Sequence, residues 1–257
     1  MNLISNKGGH SMSGILNSIR KKTLPKSCSV VVVAAGSAKR MEGIDKILTN
    51  LGELPVLVHT LYAFQDCDCF DEIIVVTRED LLVKVSDLCK HYGLDKVKKV
   101  VVGGQERTYS VRNGLREVKA DAQLIAIHDG ARPLVTQKIL EKTLLRAGID
   151  GAAAPAVPVT DTIKQVNGEM QTTATVDRSS LYAVQTPQIF QSGLIKAAVE
   201  KAIADGEVLT DDCACVERLG MKVTLTEGSK ENIKITTPFD LLLGTAILEN
   251  RVREGRE

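Results

Sequence analysis

The chain contains no tryptophan, and aromatic residues make up only 3% of its 257 residues. This leaves few side chains for the stacking platforms on which single-stranded nucleic acids bind. The formal net charge is +1, so no strong field favours a nucleic-acid partner either. No apolar run approaches the roughly 20 residues of a membrane helix. We therefore expect a cytoplasmic protein that binds neither nucleic acid nor a membrane.

Cysteine pairs of the C-x-x-C type, which are common in zinc sites, are also missing. The six cysteines include two C-x-C pairs, Cys67 with Cys69 and Cys213 with Cys215. A zinc site would require those two pairs to meet in space. The four histidines show no metal-ligand spacing. Because nothing in the sequence suggests secretion, we interpret the cysteines as reduced thiols.

The first residues differ in composition from the rest of the chain. Residues 1–28 carry five basic side chains and no acidic one, and they lack the apolar core of a signal peptide. We predict a basic, disordered leader over 1–28, one domain over 29–250 and a charged tail over 251–257.

Strand-like and helix-like segments alternate as far as residue 157. The predicted strands lie at 30–33, 73–77, 98–102, 124–128 and 152–157. Helical segments are predicted between those strands, at 55–64, 80–92, 108–118 and 136–147. This alternation predicts an α/β fold with a doubly wound, mostly parallel sheet and right-handed crossovers. Ligands of such sheets bind beyond the carboxyl ends of the strands.

The alternation breaks at residues 161–175, where β-type residues flank Asn167-Gly168, a hairpin signal. We predict a protruding β-arm at about 158–184. An arm with little core of its own usually packs on something else, so we expect a homodimer formed through it.

The C-terminal part returns to mixed structure. It predicts a helix at 192–204, a second helix with Thr210 as N-cap, and strands at 222–226 and 232–235. The last helix is expected to begin at Thr237-Pro238, with threonine as N-cap and proline at the first position.

The first predicted strand leads into a small-residue, basic loop. The small residues are Ala34, Ala35 and Gly36, and the cations that follow are Lys39, Arg40 and Lys46. Backbone N–H groups and fixed cations together suit a polyphosphate. The loop is neither a P-loop nor a good dinucleotide fingerprint, because the expected lysine and second glycine are absent. An ordinary strand–loop with solvated lysines is the alternative.

Asp129 follows a buried strand and faces the same edge as the basic loop. A carboxylate beside a polyphosphate site is a natural Mg²⁺ ligand, and a capping or loop aspartate is the alternative. Arg132 can pair with Asp129 or with phosphate, and His128 is better explained as a packed strand-end residue than as a base.

Eight segments follow one another along the chain: AAGSAKRM at 34–41, GGQERTYSV at 103–111, IHDGARPLV at 127–135, DTIK at 161–164, VDR at 176–178, TPQIF at 186–190, LTDD at 209–212 and ENIKITTPFDL at 231–241. In this order they resemble one enzyme family, 2-C-methyl-D-erythritol 4-phosphate cytidylyltransferase of the non-mevalonate isoprenoid pathway. The resemblance covers nearly the whole chain after the leader and implies a Rossmann-like nucleotidyltransferase fold.

The resemblance also implies a reaction between CTP and a polyol phosphate, with Mg²⁺ or another divalent cation. The implied catalytic residues are Arg40, Lys46, Arg178 and Lys234. The nucleotide would be bound by Ala34, Ala35, Gly36, Gly104, Gln105 and Ser110, and the metal by Asp129. The polyol phosphate would be bound by Arg178, Thr186, Thr210 and Lys234, with Arg178 serving the neighbouring copy of a homodimer.

The basic loop departs from the family pattern. Ala38 stands where the family usually has a second glycine, and Asp45-Lys46-Ile47 replaces the usual Pro-Lys-Gln or Asn-Lys-Gln. The loop is also one residue shorter than the family pattern between Arg40 and Lys46. These changes put its geometry and the turnover rate in question.

Three other functions stay open on the sequence alone. One is a ribitol 5-phosphate or other polyol-phosphate cytidylyltransferase, a sister family. Another is a nucleotide-binding relative that has lost catalysis, which the altered loop favours weakly. A nicotinamide dehydrogenase is the most distant, since the glycine fingerprint is missing.

Overall fold

The computed structural model describes residues 27–36, 45–207 and 209–256. The predicted leader, apart from its last two residues, lies outside these ranges. So do Ala38, Lys39 and Arg40 of the basic loop. The first described strand begins at Cys28, the last residue of the predicted leader.

Twelve strands and seven α-helices are found in the described ranges. The strands are β1 (Cys28–Ala34), β2 (Asn50–Leu51), β3 (Leu54–Pro55), β4 (Glu72–Thr77), β5 (Val97–Val102), β6 (Leu124–Asp129), β7 (Ala152–Pro158), β8 (Lys164–Val166), β9 (Thr172–Thr175), β10 (Tyr182–Val184), β11 (Gln188–Gln191) and β12 (Thr224–Glu227). The helices are α1 (Val56–Gln65), α2 (Leu82–His91), α3 (Arg107–Glu117), α4 (Gln137–Asp150), α5 (Ser192–Ala204), α6 (Asp212–Glu217) and α7 (Pro238–Arg253).

The main sheet has eight strands and is mostly parallel. Its path runs β10, β7, β11, β6, β1, β4, β5, with β12 paired in parallel to β7. The β1, β4, β5 and β6 ladders are parallel, whereas β11 is antiparallel to β6 and β7. The predicted α/β sheet with flanking helices is confirmed.

The apolar run of β1 is explained by cover on both faces of the sheet. Val30 and Val32 join one buried cluster with α1, α2 and α4. Val31 points to the other face and joins a second cluster with α3, α5 and α6. Successive strand residues alternate between faces, so a strand buried on both sides needs no polar positions.

The last helix closes the carboxyl edge of the sheet. Thr237 caps it through the Asp240 backbone N–H, Asp240 bonds back, and Pro238 occupies the first turn, as predicted. Together with Leu51, Ala131 and Ile235, this helix forms a third small apolar cluster. No helix among the described residues has the length and apolarity needed to span a membrane.

Two local predictions were wrong. Residues 232–235 form no strand, because the backbone is drawn into a loop in which Ile235 N–H donates to the Ala131 carbonyl. The N-cap of α6 is Asp211 rather than Thr210. The Asp211 side chain accepts a hydrogen bond from Ala214 N–H at 3.0 Å, the usual capping geometry.

A two-stranded antiparallel hairpin stands where the β-arm was predicted. It pairs β8 with β9, and all seven of their residues are exposed. Its turn is held by Asn167, whose side-chain oxygen accepts from the backbone N–H groups of Glu169 and Gln171. Its role as an arm between two copies stays a prediction.

Candidate active site

A cleft of about 350 Å³ opens at the carboxyl ends of β1 and β6. It lies where ligands bind in doubly wound sheets. The sequence-predicted residues that line it are Ala34, Ala35, Gly36, Lys46, Gly104, Gln105, Ser110, Asp129 and Lys234. These residues come from four segments of the chain: the end of β1 with the basic loop, the segment after β5, the end of β6 and the loop before α7. All four therefore supply predicted site residues to one cavity.

The wall opposite β1 is the loop between β5 and α3. Gly103 N–H donates to the Thr77 carbonyl at 2.8 Å, which ties this loop to the end of β4. Ser110 holds the next residue, since its Oγ accepts from Gly104 N–H at 3.0 Å and bonds the Glu106 carbonyl at 3.1 Å. A Cβ on Gly103 would lie only 2.6 Å from the Ala35 Cβ. The close approach of the two walls therefore requires glycine there.

Asp129 is the centre of a cationic cluster. Its Oδ2 lies 2.8 Å from Lys234 Nζ and 3.6 Å from Arg132 Nε. Its Oδ1 lies 3.7 Å from Arg107 Nη2. Burial opposes ionisation, but Lys234 above all, then Arg107 and Arg132, outweighs it and holds the pKa of Asp129 at about 2. One carboxylate thus faces three cations, an arrangement that suits further anionic groups.

A buried hydrogen-bond chain fixes the backbone of Asp129. Its N–H donates to Thr186 Oγ1 at 3.1 Å. The Arg132 carbonyl, 3.2 Å from His128 Nε2, can only accept, so Nε2 carries the ring proton and donates to it. The other ring nitrogen, Nδ1, therefore accepts from the Thr186 hydroxyl at 3.1 Å. Burial lowers the pKa of His128 to about 4, which keeps the imidazole neutral. His128 is therefore the packed strand-end residue that the sequence predicted.

A second buried network positions the segment that carries Lys234. Asn232 is fully buried and donates through Nδ2 to the Thr186 carbonyl at 3.1 Å. The backbone carbonyl of Asn232 accepts from Arg132 Nη1 at 2.7 Å. Gln185 bonds the Ser229 carbonyl at 2.8 Å. These contacts tie the loop before Lys234 to the loop after β6, so Lys234 and Asp129 are positioned together.

Arg107 also lines the cleft, although no pattern in the sequence indicated a role for it. It opens α3 and pairs with Asp212 at 2.6 Å, as well as lying near Asp129. Burial raises the pKa of Asp212, and the guanidinium of Arg107 counteracts this. The GGQERTYSV segment contained the residue, but its partners lie 22 and 105 positions further along the chain and gave no local signal.

Three predicted residues lie elsewhere or have other contacts. Thr186 is 4% exposed, with its hydroxyl bonded to His128 and Asp129. Arg178 is exposed and donates to the Thr160 carbonyl at 2.6 Å. Thr210 is exposed ahead of α6. Neither Arg178 nor Thr210 is among the described residues that line the cleft.

A larger hollow of about 790 Å³ lies between α1, α4 and α7. Four of its charged side chains already form ion pairs, Lys142 with Glu227 at 2.7 Å and Arg251 with Glu231 at 3.0 Å. It contains no predicted site residue. The smaller cleft is therefore the better candidate for the active site.

A cleft with glycine-containing walls and fixed cations at the carboxyl edge of this sheet is typical of nucleotidyltransferases. A family model described as 2-C-methyl-D-erythritol 4-phosphate cytidylyltransferase matches residues 28–250. The chain belongs to this family, the cytidylyltransferases of non-mevalonate isoprenoid biosynthesis.

Individual relatives agree with this assignment. The cytidylyltransferase of Alkaliphilus metalliredigens is 44% identical over 231 residues, which cover 89% of this chain and 95% of the relative. That of Syntrophus aciditrophicus is 43% identical, with 88% and 97% covered.

Solved structures agree as well. The 4-diphosphocytidyl-2C-methyl-D-erythritol synthase of Anaerococcus prevotii superposes with a TM-score of 0.78 at 30% identity, covering 90% of this chain and 99% of that one. The Thermus thermophilus cytidylyltransferase gives 0.69 at 32% identity, with 85% and 97% covered.

Proposed function

We propose that the protein transfers the cytidylyl group of CTP to 2-C-methyl-D-erythritol 4-phosphate and releases pyrophosphate. The observation that carries the proposal is the convergence of residues from four segments on one cleft at the carboxyl edge of the sheet. A phosphate oxygen of the polyol phosphate attacks the α-phosphorus of CTP, and the bond to pyrophosphate breaks. This substitution needs no protein nucleophile, so positioning and electrostatics supply the catalysis.

The nucleotide is assigned to the glycine-containing walls. Ala34, Ala35 and Gly36 leave the backbone of the β1 end open to the base and ribose. Gly104 and Gln105 face them across the cleft, on the loop that Ser110 holds. Ser110 is a support in this arrangement, because its hydroxyl is bonded to the loop backbone on both sides.

Charge on the transferring phosphate is assigned to the basic loop. Lys46 lines the cleft beside the β1 end, where the α-phosphate would lie. Its ammonium would stabilise the charge that develops on the α-phosphate and on pyrophosphate in the transition state. Arg40, which lies outside the described residues, is assigned the same function.

The polyol phosphate is assigned to the Lys234 side of the cleft. The Lys234 side chain is 38% exposed, so its ammonium can move from the Asp129 carboxylate to a phosphate group of the substrate. We propose that Thr210 and Arg178 contribute to this end of the substrate. Because Arg178 does not line the cleft of its own chain, we assign it to the site of a neighbouring copy. Thr186 supports the substrate through the backbone of Asp129.

The residues present fit a divalent cation only together with substrate phosphates. Asp129 is ionised, 11% exposed on its side chain and at the cleft, as a ligand must be. No cluster of three or more ligand side chains exists in the part of the chain that the structure describes. Mg²⁺ commonly takes one carboxylate plus phosphate oxygens and water. When bound, the ion would neutralise charge on the phosphates, and Asp129 would hold it.

The assembly and the location of the protein are also proposals. The exposed hairpin carries apolar side chains at Val166 and Met170, 44% and 77% exposed, that a second copy would cover. We therefore propose a homodimer through this hairpin. We place the protein in the cytoplasm, with the soluble substrates it uses.

Pyrophosphate release, measured with each of four nucleoside triphosphates against a panel of polyol phosphates, tests the reaction. The expected result is turnover with CTP and methylerythritol phosphate, and far less with any other pair. Turnover with ribitol 5-phosphate instead would favour the sister activity. Absence of turnover with every pair would favour the nucleotide-binding relative that has lost catalysis.

A further inference from the structure

Asp45 is an acidic residue next to Lys46, at a position where the family usually has proline or asparagine. In the structure its carboxylate is bound by Arg78, whose Nη2 lies 2.6 Å from Asp45 Oδ2. Both side chains are partly buried, at 22% and 26% exposure, so water does not fully screen the pair. The charge of the acid beside Lys46 is thus compensated by Arg78, which directly follows β4.

Arg78 itself is firmly oriented. It follows β4, whose last residue, Thr77, pairs with Ala34 of β1. Asp80 accepts from Arg78 Nε at 3.0 Å and from Nη2 at 3.1 Å, so the guanidinium is held in a forked geometry. The bond to Asp80, ahead of that to Asp45, raises the pKa of Arg78 and keeps it charged.

Arg78 contacts both sides of the basic loop. Its Nη1 approaches the Gly36 carbonyl at 3.5 Å, where the chain leaves β1. Its Nη2 binds Asp45, which directly precedes Lys46 at the other end of the loop. The Asp45 carbonyl starts a turn, since it accepts from the N–H groups of Leu48 at 2.9 Å and Thr49 at 3.0 Å. Lys46 is in this turn, so the position of Asp45 sets that of the Lys46 backbone.

We propose that Arg78 is a positioning residue for this active site. It braces Gly36 against Asp45 and thereby fixes the turn from which Lys46 reaches the cleft. In this chain Asp45 is then the acceptor that Arg78 binds, so the acid next to Lys46 contributes to the positioning of Lys46. This inference rests on the proposed function for its kinetic readout, because the brace acts through Lys46.

The kinetic test compares wild type with Arg78→Ala, Asp45→Ala and the double variant. Displacement of a catalytic group by about 1 Å can cost a hundredfold, so each single variant should lower kcat by roughly ten- to a hundredfold. Because both changes break one brace, the double variant should lie within about twofold of the worse single variant. The KM for the polyol phosphate should stay unchanged, since that substrate is bound on the Lys234 side.

Two further variants sharpen the kinetic test. Arg78→Lys should recover only part of kcat, because an ammonium cannot hold two carboxylates as the planar fork does. Arg116→Ala is the matched control, since Arg116 pairs with Glu200 at 3.1 Å on the outer surface. It should have wild-type kcat. Arg78→Ala with the kcat of this control, or single losses that multiply in the double variant, would overturn the proposal.

Hydrogen–deuterium exchange of residues 45–49 gives a readout that does not depend on activity. The amides of Leu48 and Thr49 should exchange faster in Arg78→Ala than in wild type and in Arg116→Ala. Equal exchange in all three proteins would also overturn the brace. If wild type releases no pyrophosphate, the proposed function fails, and the exchange comparison alone then decides the brace.

Discussion

Lys46 lies in the cleft beside the small residues that end β1. Lys46→Ala should lower kcat by about a hundredfold, on the order of 3 kcal/mol of transition-state stabilisation, with little change in the KM for CTP. The reason is that a cation at the α-phosphate acts most strongly when charge shifts there. Lys46→Arg should restore only part of the rate, because a planar fork differs in shape from an ammonium.

Steady-state kinetics with saturating polyol phosphate measures this split. Lys99→Ala is the matched control, because that lysine pairs with Glu117 on the surface at 2.8 Å. It should behave as wild type. A raised KM for CTP with normal turnover would identify Lys46 as a phosphate anchor, and Arg40 would then be the next candidate.

Asp129 faces three cations, and the proposed function assigns it the metal as well. Asp129→Asn keeps the shape but removes the charge that pairs with Lys234 and Arg107 and that would hold Mg²⁺. Turnover should fall at least a hundredfold. Mn²⁺ binding in the presence of CTP, followed by electron paramagnetic resonance, should weaken as well, which provides a readout separate from turnover.

Glu117→Gln, on the surface, serves as the control for Asp129→Asn. It should leave both the rate and Mn²⁺ binding unchanged. An unchanged rate and an unchanged Mn²⁺ titration in Asp129→Asn itself would show that the aspartate is a structural loop residue.

The sequence predicted the residues of the cleft better than their contacts. Ala34 and Asp129 were found because each lies at the end of a buried strand at one edge of the sheet, and Gly104 because the family resemblance implied it. Arg107 and Arg78 were missed because their partners are distant in sequence. Asp212 is 105 positions from Arg107, and Asp45 is 33 from Arg78. Such pairs are created by the fold and leave no periodic signal.

At the scale of elements, strongly periodic segments were predicted well and short ones poorly. The helix over 192–204 is found with those bounds, and β4, β6 and β7 each extend the predicted strand by one residue. The predicted strand at 232–235 failed because Asn232 is bonded to Thr186 and Arg132 rather than to a neighbouring strand. A four-residue stretch of alternating polar and apolar residues cannot distinguish these outcomes.

The hairpin of β8 and β9 gives a prediction at this scale. An isolated two-stranded hairpin is marginal in water, and this one exposes every strand residue, so we expect a second copy to cover it. Sedimentation should show a dimer at micromolar concentration. A variant in which residues 161–175 are replaced by a short glycine–serine linker should be monomeric.

Met170→Glu is a milder variant of the same surface, since this residue is 77% exposed at the turn. A charge there should weaken the dimer without changing the fold. Val83→Glu is the control, because Val83 is 72% exposed on α2, away from the hairpin. It should leave the dimer intact. A wild-type chain that sediments as a monomer would contradict the dimer and the assignment of Arg178 to the neighbouring site.

At the scale of the whole molecule, the position of the cleft depends on close packing of the helices against the sheet. The α3 helix carries Arg107 at its start and Gly114 in its middle. A Cβ on Gly114 would lie 2.4 Å from Val31 Cγ1 and 2.8 Å from Val76 Cγ2, both buried in the sheet. These side chains belong to packed strands and have little space to move. The absence of a side chain at Gly114 therefore sets the distance between α3 and the sheet.

Gly114→Ala should consequently destabilise the protein, although alanine is the better helix former by about 1 kcal/mol. Overpacking typically costs 1–3 kcal/mol, so we expect a net loss of about 1–2 kcal/mol in the free energy of unfolding. Urea denaturation at pH 7 measures it. Gly193→Ala, in helix α5, is the control, since nothing lies within 4 Å of a Cβ there, and it should be at least as stable as wild type. If Gly114→Ala is as stable as wild type, α3 can move away from the sheet at no cost, and the cleft is less tightly fixed by the fold than these contacts indicate.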